Sequence, residues 1–262
     1  MNEASVDKII KTVEEFAPLS LQEAWDNSGL QVGDRNAIVT GVLTAVDVTP
    51  EVIDEAVRQR ANMVISHHPL IFGGLKRLTG DTRTEKSVIG AIKHGIAVYS
   101  CHTPLDKTYN GLSWQLARLL GLNPLRPLLP VSPGADAGLG VVCRVDGKIS
   151  VSECIEKIKE VFPHLRHSAI ESRVGARNIA VCTGSGASLI NDAIEAKCDV
   201  YITGDLKHHD FVDFADRTVL VDCGHFETEK IAKIILKDVV STAFPGLPVS
   251  LSHTDVNPMV TL

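Results

Sequence analysis

Two adjacent histidines, His67 and His68, follow the β-branched run Met63-Val64-Ile65-Ser66 and precede Pro69 and the pair Gly73-Gly74. A buried strand over 61–66 would set both histidines at its carboxyl end, where open α/β sheets carry their sites. Adjacent side chains on an extended chain point to opposite sides. His67 and His68 are therefore poorly placed to chelate one ion and well placed to give one nitrogen to each of two neighbouring ions. The dipeptide alone is equally compatible with one packed and one solvated histidine. Two further segments repeat one pattern of His, three residues, acid: His102-Thr103-Pro104-Leu105-Asp106 and His225-Phe226-Glu227-Thr228-Glu229. On a helix this spacing puts imidazole and carboxylate one turn apart on one face, within reach of one ion. Taken singly, Asp106 and Glu229 are also acids of the kind a helix start favours. Two matched copies beside a His-His strand end weigh toward metal, with His67, His68, Asp106, His225 and Glu229 as a sufficient ligand set. Mixed nitrogen and oxygen donors suit zinc, iron or manganese better than calcium. His102, Asp205, His208 and His209 remain either ligands or outer partners that fix imidazole tautomers, the outer role being preferred. His94, His164 and His167 read as surface residues.

The elements that would position these residues alternate. Apolar spacing predicts a helix over 5–17, a turn-rich stretch over 21–33 leading to a short strand, and a strand over 39–48. Thr49-Pro50-Glu51 opens a helix to about Arg60, with Thr as N-cap and Pro at the first position. The strand ending at His67 follows, then a helix over 84–94, a strand over 96–101 and a helix over 109–120 closed by Gly121. Pro124, Pro127, Pro130 and Pro133 mark a connection, before a strand over 138–146 and a helix over Ser150–Phe162. Strands alternating with helices imply mainly parallel sheets covered on both faces.

The second half repeats the first. At an offset of 137, Val42-Leu43-Thr44-Ala45 falls on Ile179-Ala180-Val181-Cys182 and Met63-Val64-Ile65-Ser66 on Val200-Tyr201-Ile202-Thr203, without a gap. At an offset of 123, Ala97–Cys101 falls on Leu220–Gly224 and His102 on His225. The expected fold is α/β with two pseudo-symmetric, three-layer α/β/α lobes around mixed, mainly parallel sheets. Residues 1–125, completed by 240–262, form the first lobe, and residues 126–239 the second. At the place of His67-His68 the second lobe carries Gly204-Asp205, so the two sites are not equivalent.

Composition narrows the functions. The 262 residues are 44% hydrophobic with net charge −6, a balance unlike that of proteins built to grip nucleic acid. No stretch of 18 apolar residues offers a membrane span, and the N-terminus has no signal pattern, so a cytoplasmic location is expected. The cysteines at 101, 143, 154, 182, 198 and 223 form no C-x-x-C pair, which argues against a zinc ribbon. They read as buried hydrophobes, Cys101 and Cys223 as strand-end packing.

The ordered set Trp25-Asp26-Asn27-Ser28-Gly29-Leu30, Ser66-His67-His68-Pro69, His102-Thr103-Pro104-Leu105-Asp106, Gly224–Glu229 and Asp255-Val256-Asn257-Pro258 resembles the Nif-three-like family, often labelled GTP cyclohydrolase I type 2. The resemblance covers essentially the whole chain, in the short form without an inserted domain. It implies a two-lobe α/β fold, a dinuclear metal site between the lobes and a homohexameric ring. Position by position, the implied ligands are His67, His68, Asp106, His225 and Glu229, with Glu229 bridging two divalent ions.

Two functions follow. The first is a metal-dependent hydrolase of the GTP cyclohydrolase I type 2 kind, acting on a nucleotide or phosphoester. No Walker loop is present, so phosphates would be held by the metals or by Lys76, Arg77 or Lys207, residues that otherwise read as solvated surface. The second is a non-enzymatic metal-binding ring that acts as scaffold or regulator and contacts single-stranded nucleic acid. An aromatic content of 5% and the acidic balance count against nucleic acid.

Overall fold

A computed structural model describes residues 4–169, 175–214 and 216–260. In chain order the elements are α1 (Val6–Phe16), β1 (Gly29–Val32), β2 (Val42–Ala45), α2 (Pro50–Gln59), β3 (Met63–Ser66), α3 (Arg83–Lys93), β4 (Ala97–Ser100) and α4 (Thr103–Lys107). Then follow α5 (Leu112–Leu119), β5 (Asn123–Pro130), β6 (Gly138–Ile149), α6 (Val151–Val161), β7 (Arg166–His167), β8 (Ala176–Ser185), α7 (Ile190–Glu195) and β9 (Val200–Gly204). The chain ends with α8 (His208–Phe214), β10 (Val219–Asp222), α9 (His225–Glu229), α10 (Ala232–Ala243) and β11 (Val249–Leu251). They form two compact units: Met1–Leu105 with Ala232–Pro258, and Asp106–Ile231 with Met259–Leu262.

Unit 1 is a five-stranded sheet in the order β1-β4-β3-β2-β11, parallel except for β1. The α2 helix begins where the sequence predicts, with the Thr49 hydroxyl accepting from the Val52 N–H and Pro50 in the first turn. Alternation along the strands divides the core between two faces. Leu43, Ala45, Val64 and Val98 pack with α2 and α3 residues Val52, Ile53, Ala56, Val88 and Ala91. On the other side α10 packs against β2 and β3, and against α1, whose Val6, Ile9, Ile10 and Val13 are buried.

Unit 2 is a six-stranded sheet in the order β5-β6-β8-β9-β10-β7, with β8, β9 and β10 parallel at its centre and antiparallel strands outside. Val141, Cys143, Ile179, Val181, Val200, Ile202, Val219 and Val221 face α5 and α6. Val142, Ala180, Tyr201 and Leu220 face α7 and α8. The Pro-rich segment read as a connection is instead the strand β5, paired with β6. It lies at the edge of the sheet, where a missing N–H costs no ladder bond on the solvent side.

The internal repeat reappears in the ladders. Thr44 pairs with Ile65, and Val181, 137 residues on, pairs with Ile202. The later strands correct the sequence alignment by one. Ser66 pairs with Ser100 and Thr203 with Asp222, so the strand offset is 122 rather than 123 and Cys101 corresponds to Cys223. Gly224, at φ 86°, is the extra residue that unit 2 carries before His225. All six cysteines are free and buried. Burial pushes the Cys143 and Cys182 thiols up to about 12 and those of Cys154 and Cys198 up to about 11, far from reactive thiolates. Among the described residues no helix is long and apolar enough to cross a membrane.

Candidate metal centre

In unit 1, β3 ends at Ser66 and the histidines follow at its carboxyl end. The backbone stays pinned beyond the strand, with the His67 N–H on the Ala45 carbonyl and the His68 N–H on that of Val46. His67 is fully buried and His68 half-buried. Their ring centroids are 4.9 Å apart, and His102 stands edge-on to both at 5.1 and 5.4 Å. One donor atom from each of the three lies within 4.8 Å of the others, an arrangement able to hold a metal ion. The rings are closer than strand alternation predicts, because the ladder has already ended at Ser66 and the period of two no longer applies.

Each of the three rings is tethered through Nδ1. His67 Nδ1 lies 3.1 Å from the Cys101 carbonyl, His68 Nδ1 2.9 Å from Asp47 Oδ1, and His102 Nδ1 2.9 Å from Asp26 Oδ1. A carbonyl or carboxylate can only accept, so each Nδ1 carries the proton and each neutral ring keeps its lone pair on Nε2. The tethers are themselves held. Asp26 accepts from the Ser28 and Thr103 hydroxyls and from the Asn27 and Thr103 N–H groups. Burial works to raise the Asp26 carboxyl, but the hydrogen bonds from His102, Thr103 and Ser28 outweigh it and hold the group well below the ordinary carboxylate range. The N–H groups of Val46 and Asp47 are capped by Asp255, which in turn takes the Lys233 ammonium. The segment carrying Asp255 is clamped by Glu55, which accepts from the Ser252 and Thr254 hydroxyls and the N–H groups of His253 and Thr254.

In unit 2 the parallel strands exit through glycines. Gly184, Gly204 and Gly224 close β8, β9 and β10 so tightly that a Cβ on Gly204 would lie 2.9 Å from the Gly184 carbonyl oxygen and the Gly224 backbone. Gly184, at φ +66°, leaves room for the Glu229 carboxylate: a Cβ there would sit 2.0 Å from Glu229 Oε1. Glu229 is buried on α9, and its Oε2 lies 2.9 Å from His225 Nε2, one helical turn away as the spacing predicts. Asp205 Oδ2 holds the other ring nitrogen, Nδ1, at 2.7 Å. Asp205 has a left-handed backbone, φ +58°, which Asp tolerates better than most residues. The Glu229 hydrogen bond, opposed by burial and helped by Asp205, lifts His225 to about 9. Asp106 lies in this unit, on the short helix α4 that precedes α5. One oxygen each of Asp106 and Glu229 lie within 4.8 Å of one another.

The structure thus gathers His67 and His68 with His102 in unit 1, and Asp106 and His225 with Glu229 in unit 2. His208 and His209 begin α8 with exposed side chains and belong to neither cluster. Lys76, Arg77 and Lys207 are exposed. Asp47 and Gly184 escaped the sequence reading. Asp47 was detectable as an acid just past the carboxyl end of β2, the strand beside β3. Gly184 carried no signal, since a glycine required by a carboxylate 45 residues away leaves no local trace.

The chain matches the model of the Duf34/NIF3 (NGG1p interacting factor 3) family over residues 4–258. It is 33% identical over 261 residues to a GTP cyclohydrolase 1 type 2 homolog of Clostridium acetobutylicum, covering 97% of both chains. It is 31% identical to NIF3-like protein 1 of Drosophila melanogaster, over 97% of this chain and 88% of that one. The crystal structure of the Staphylococcus aureus hypothetical protein SA1388 superposes at a TM-score of 0.90 with 26% identity, over 100% of both chains. Two α/β units with these strand-end clusters, and matches that run the whole length of the chain, make it a member of the Duf34/NIF3 family.

Proposed function

We propose that this protein is a metal-dependent hydrolase that uses two divalent cations, zinc, iron or manganese, held by His67, His68, Asp106, His225 and Glu229. The observation that carries the proposal is the set of three imidazoles in unit 1, each tethered at Nδ1 by a group that can only accept. This is how histidines are oriented around a metal, because it fixes the tautomer and raises the basicity of the free nitrogen. The buried Glu229 carboxylate, seated against Gly184, offers the oxygen donors that such a set needs, and its two oxygens suit the bridging role implied by the resemblance. Divalent cations supply Lewis acidity, polarising the bond under attack and acidifying water. The chain's own contribution is positional. Asp47, Asp26 and Asp205 hold the His68, His102 and His225 rings, and His102 stands beside the other two imidazoles as a third donor or as a proton carrier backed by Asp26. The substrate class is a nucleotide or phosphoester, in keeping with the label GTP cyclohydrolase 1 type 2 homolog borne by several relatives. A homohexameric ring in the cytoplasm completes the proposal.

The test is metal content per subunit on protein purified without added metal, followed by incubation of the reconstituted protein with GTP. About two ions per chain, and ring opening or phosphate release well above a His68→Ala control, are expected. Both activities at the level of that control would leave the second reading, a metal-bearing scaffold. That reading draws on the family's own description as an interacting factor.

A further inference from the structure

We infer that the exposed indole of Trp25, walled by Phe72, seats a planar heteroaromatic ring of nucleobase type, so that the substrate of the histidine cluster is a mononucleotide rather than a ring-free phosphoester. This rests on the hydrolase reading above and adds the substrate class to it.

Aromatic side chains are scarce here, 12 in 262 residues, and among the described residues the large exposed ones are Trp25 at 59%, Phe72 at 59% and Tyr109 at 50%. Tyr109 packs against Trp114. The other two converge on one place: Trp25 lies 5.7 Å from the His102 ring, Phe72 6.2 Å, and the two are 6.0 Å from each other. A single exposed aromatic is ordinary. Two that converge on a polar cluster of histidines form an apolar platform beside hydrogen-bonding groups, the composition of a ligand pocket.

The two rings are mounted differently. Trp25 precedes Asp26, whose carboxylate is fixed by hydrogen bonds from Ser28, His102 and Thr103, so the indole has a rigid base. Phe72 follows Ile71, whose backbone is tied to Asn27 and Gln31, and precedes Gly73-Gly74. Neither glycine has positive φ, and a Cβ on either would touch nothing within 4 Å. Neither sterics nor backbone geometry demands glycine there. What glycine adds is backbone freedom just behind Phe72. A rigid indole and an adjustable phenyl make a platform and a movable wall. At 6.0 Å and an interplanar angle of 46° the pair leaves no slot for a ring between them, since stacking on both faces needs about 7 Å. The bound ring therefore lies on the open face of Trp25 with its edge toward Phe72. A nucleic-acid strand would need a row of such platforms. One pair fits one ring.

Trp25 also reports on the site, because it is exposed while the other tryptophan, Trp114, is buried and belongs to unit 2. Titration of the metal-loaded protein with GMP should quench tryptophan fluorescence saturably, while ribose 5-phosphate should not. By calorimetry Trp25→Leu should weaken GMP binding about tenfold, and Trp25→Phe should restore part of the loss. Circular dichroism of Trp25→Leu should match that of the parent protein. Equal GMP affinity in parent and Trp25→Leu, or ribose 5-phosphate binding as tightly as GMP, would overturn the inference. The two readings separate cleanly. Metal-dependent hydrolysis of a ring-free phosphoester, with no GMP quenching, removes the platform and keeps the hydrolase. GMP quenching in a protein that binds no metal supports the platform and removes the hydrolase.

Discussion

The exits of the two sheets carry different chemistry on the same topology. In both units three parallel strands pair in the same register through the repeat, Val42 with Met63 in one and Ile179 with Val200 in the other. Unit 1 places histidines past those strands and supports them with Asp26, Asp47 and the Cys101 carbonyl. Unit 2 places glycines there and uses the space they leave to seat one buried carboxylate. Unit 1 gathers three imidazoles, whereas unit 2 sets the imidazole of His225 against carboxylate oxygen. The strand-end position is common ground; whether it bears a side chain or makes room for one decides what it offers.

That contrast can be broken most severely at Gly184. Gly184→Ala forces a left-handed Ala and drives a Cβ into Glu229, and is expected to cost about 2–4 kcal/mol and to lower metal content in the purified protein. Gly73→Ala, where a Cβ meets nothing, is the control, and thermal melts of the two should differ by many degrees. A Gly184→Ala protein with normal melting and full metal would show that the glycine exits do not set the position of the carboxylate. Next in size are the tethers of unit 1. Asp47→Ala should weaken metal binding about 10–100-fold in competition with a chromophoric chelator, while leaving the fold intact by circular dichroism.

A smaller effect separates the frame of unit 1 from its chemistry. Burial acts to raise the Glu55 carboxyl, but hydrogen bonds from Ser252, His253 and Thr254 win and bring it down to about 2. A lowered carboxyl stabilises the fold above its unfolded value of about 4.5, and that stability is lost as the pH falls toward 2. Parent protein and Glu55→Gln should therefore differ by about 2 kcal/mol in urea melts at pH 7 and converge only as the pH falls to about 2. A pH-independent difference would mean that the charge on Glu55 is not what holds the 252–254 segment. The least effect is expected at Asp205→Asn. Asn tolerates the left-handed backbone and keeps an oxygen for His225 Nδ1, so metal affinity should fall by about tenfold or less. A larger loss than at Asp47 would reverse the ranking of the two units.

The linear chain declared a good deal of this. Thr49-Pro50 marked the start of α2, the β-branched run marked β3, and the 137-residue offset marked a duplication that the ladders reproduce. These are local signals, carried by residues that must satisfy their own backbone or their own strand. The i,i+4 spacing of His225 and Glu229 is local too, and the helix delivers it at 2.9 Å. The edge strand β5 was hidden because its prolines speak for a connection until a sheet edge accommodates them. The alignment slipped by one at Gly224 because strand similarity cannot see which residue pairs with which.

Short-range order thus sufficed for the α/β class and for the one-turn spacing of His225 and Glu229, since each depends on periodicity or spacing within a few residues. Tertiary structure alone decided that His102 joins His67 and His68, that Asp26 and Asp47 stand behind the rings, and that Gly184 makes the seat of Glu229. Those relations join segments 21 to 76 residues apart in sequence. Hydrogen-bond geometry and steric exclusion act over a few ångströms of space, and a chain written as a line does not contain those distances.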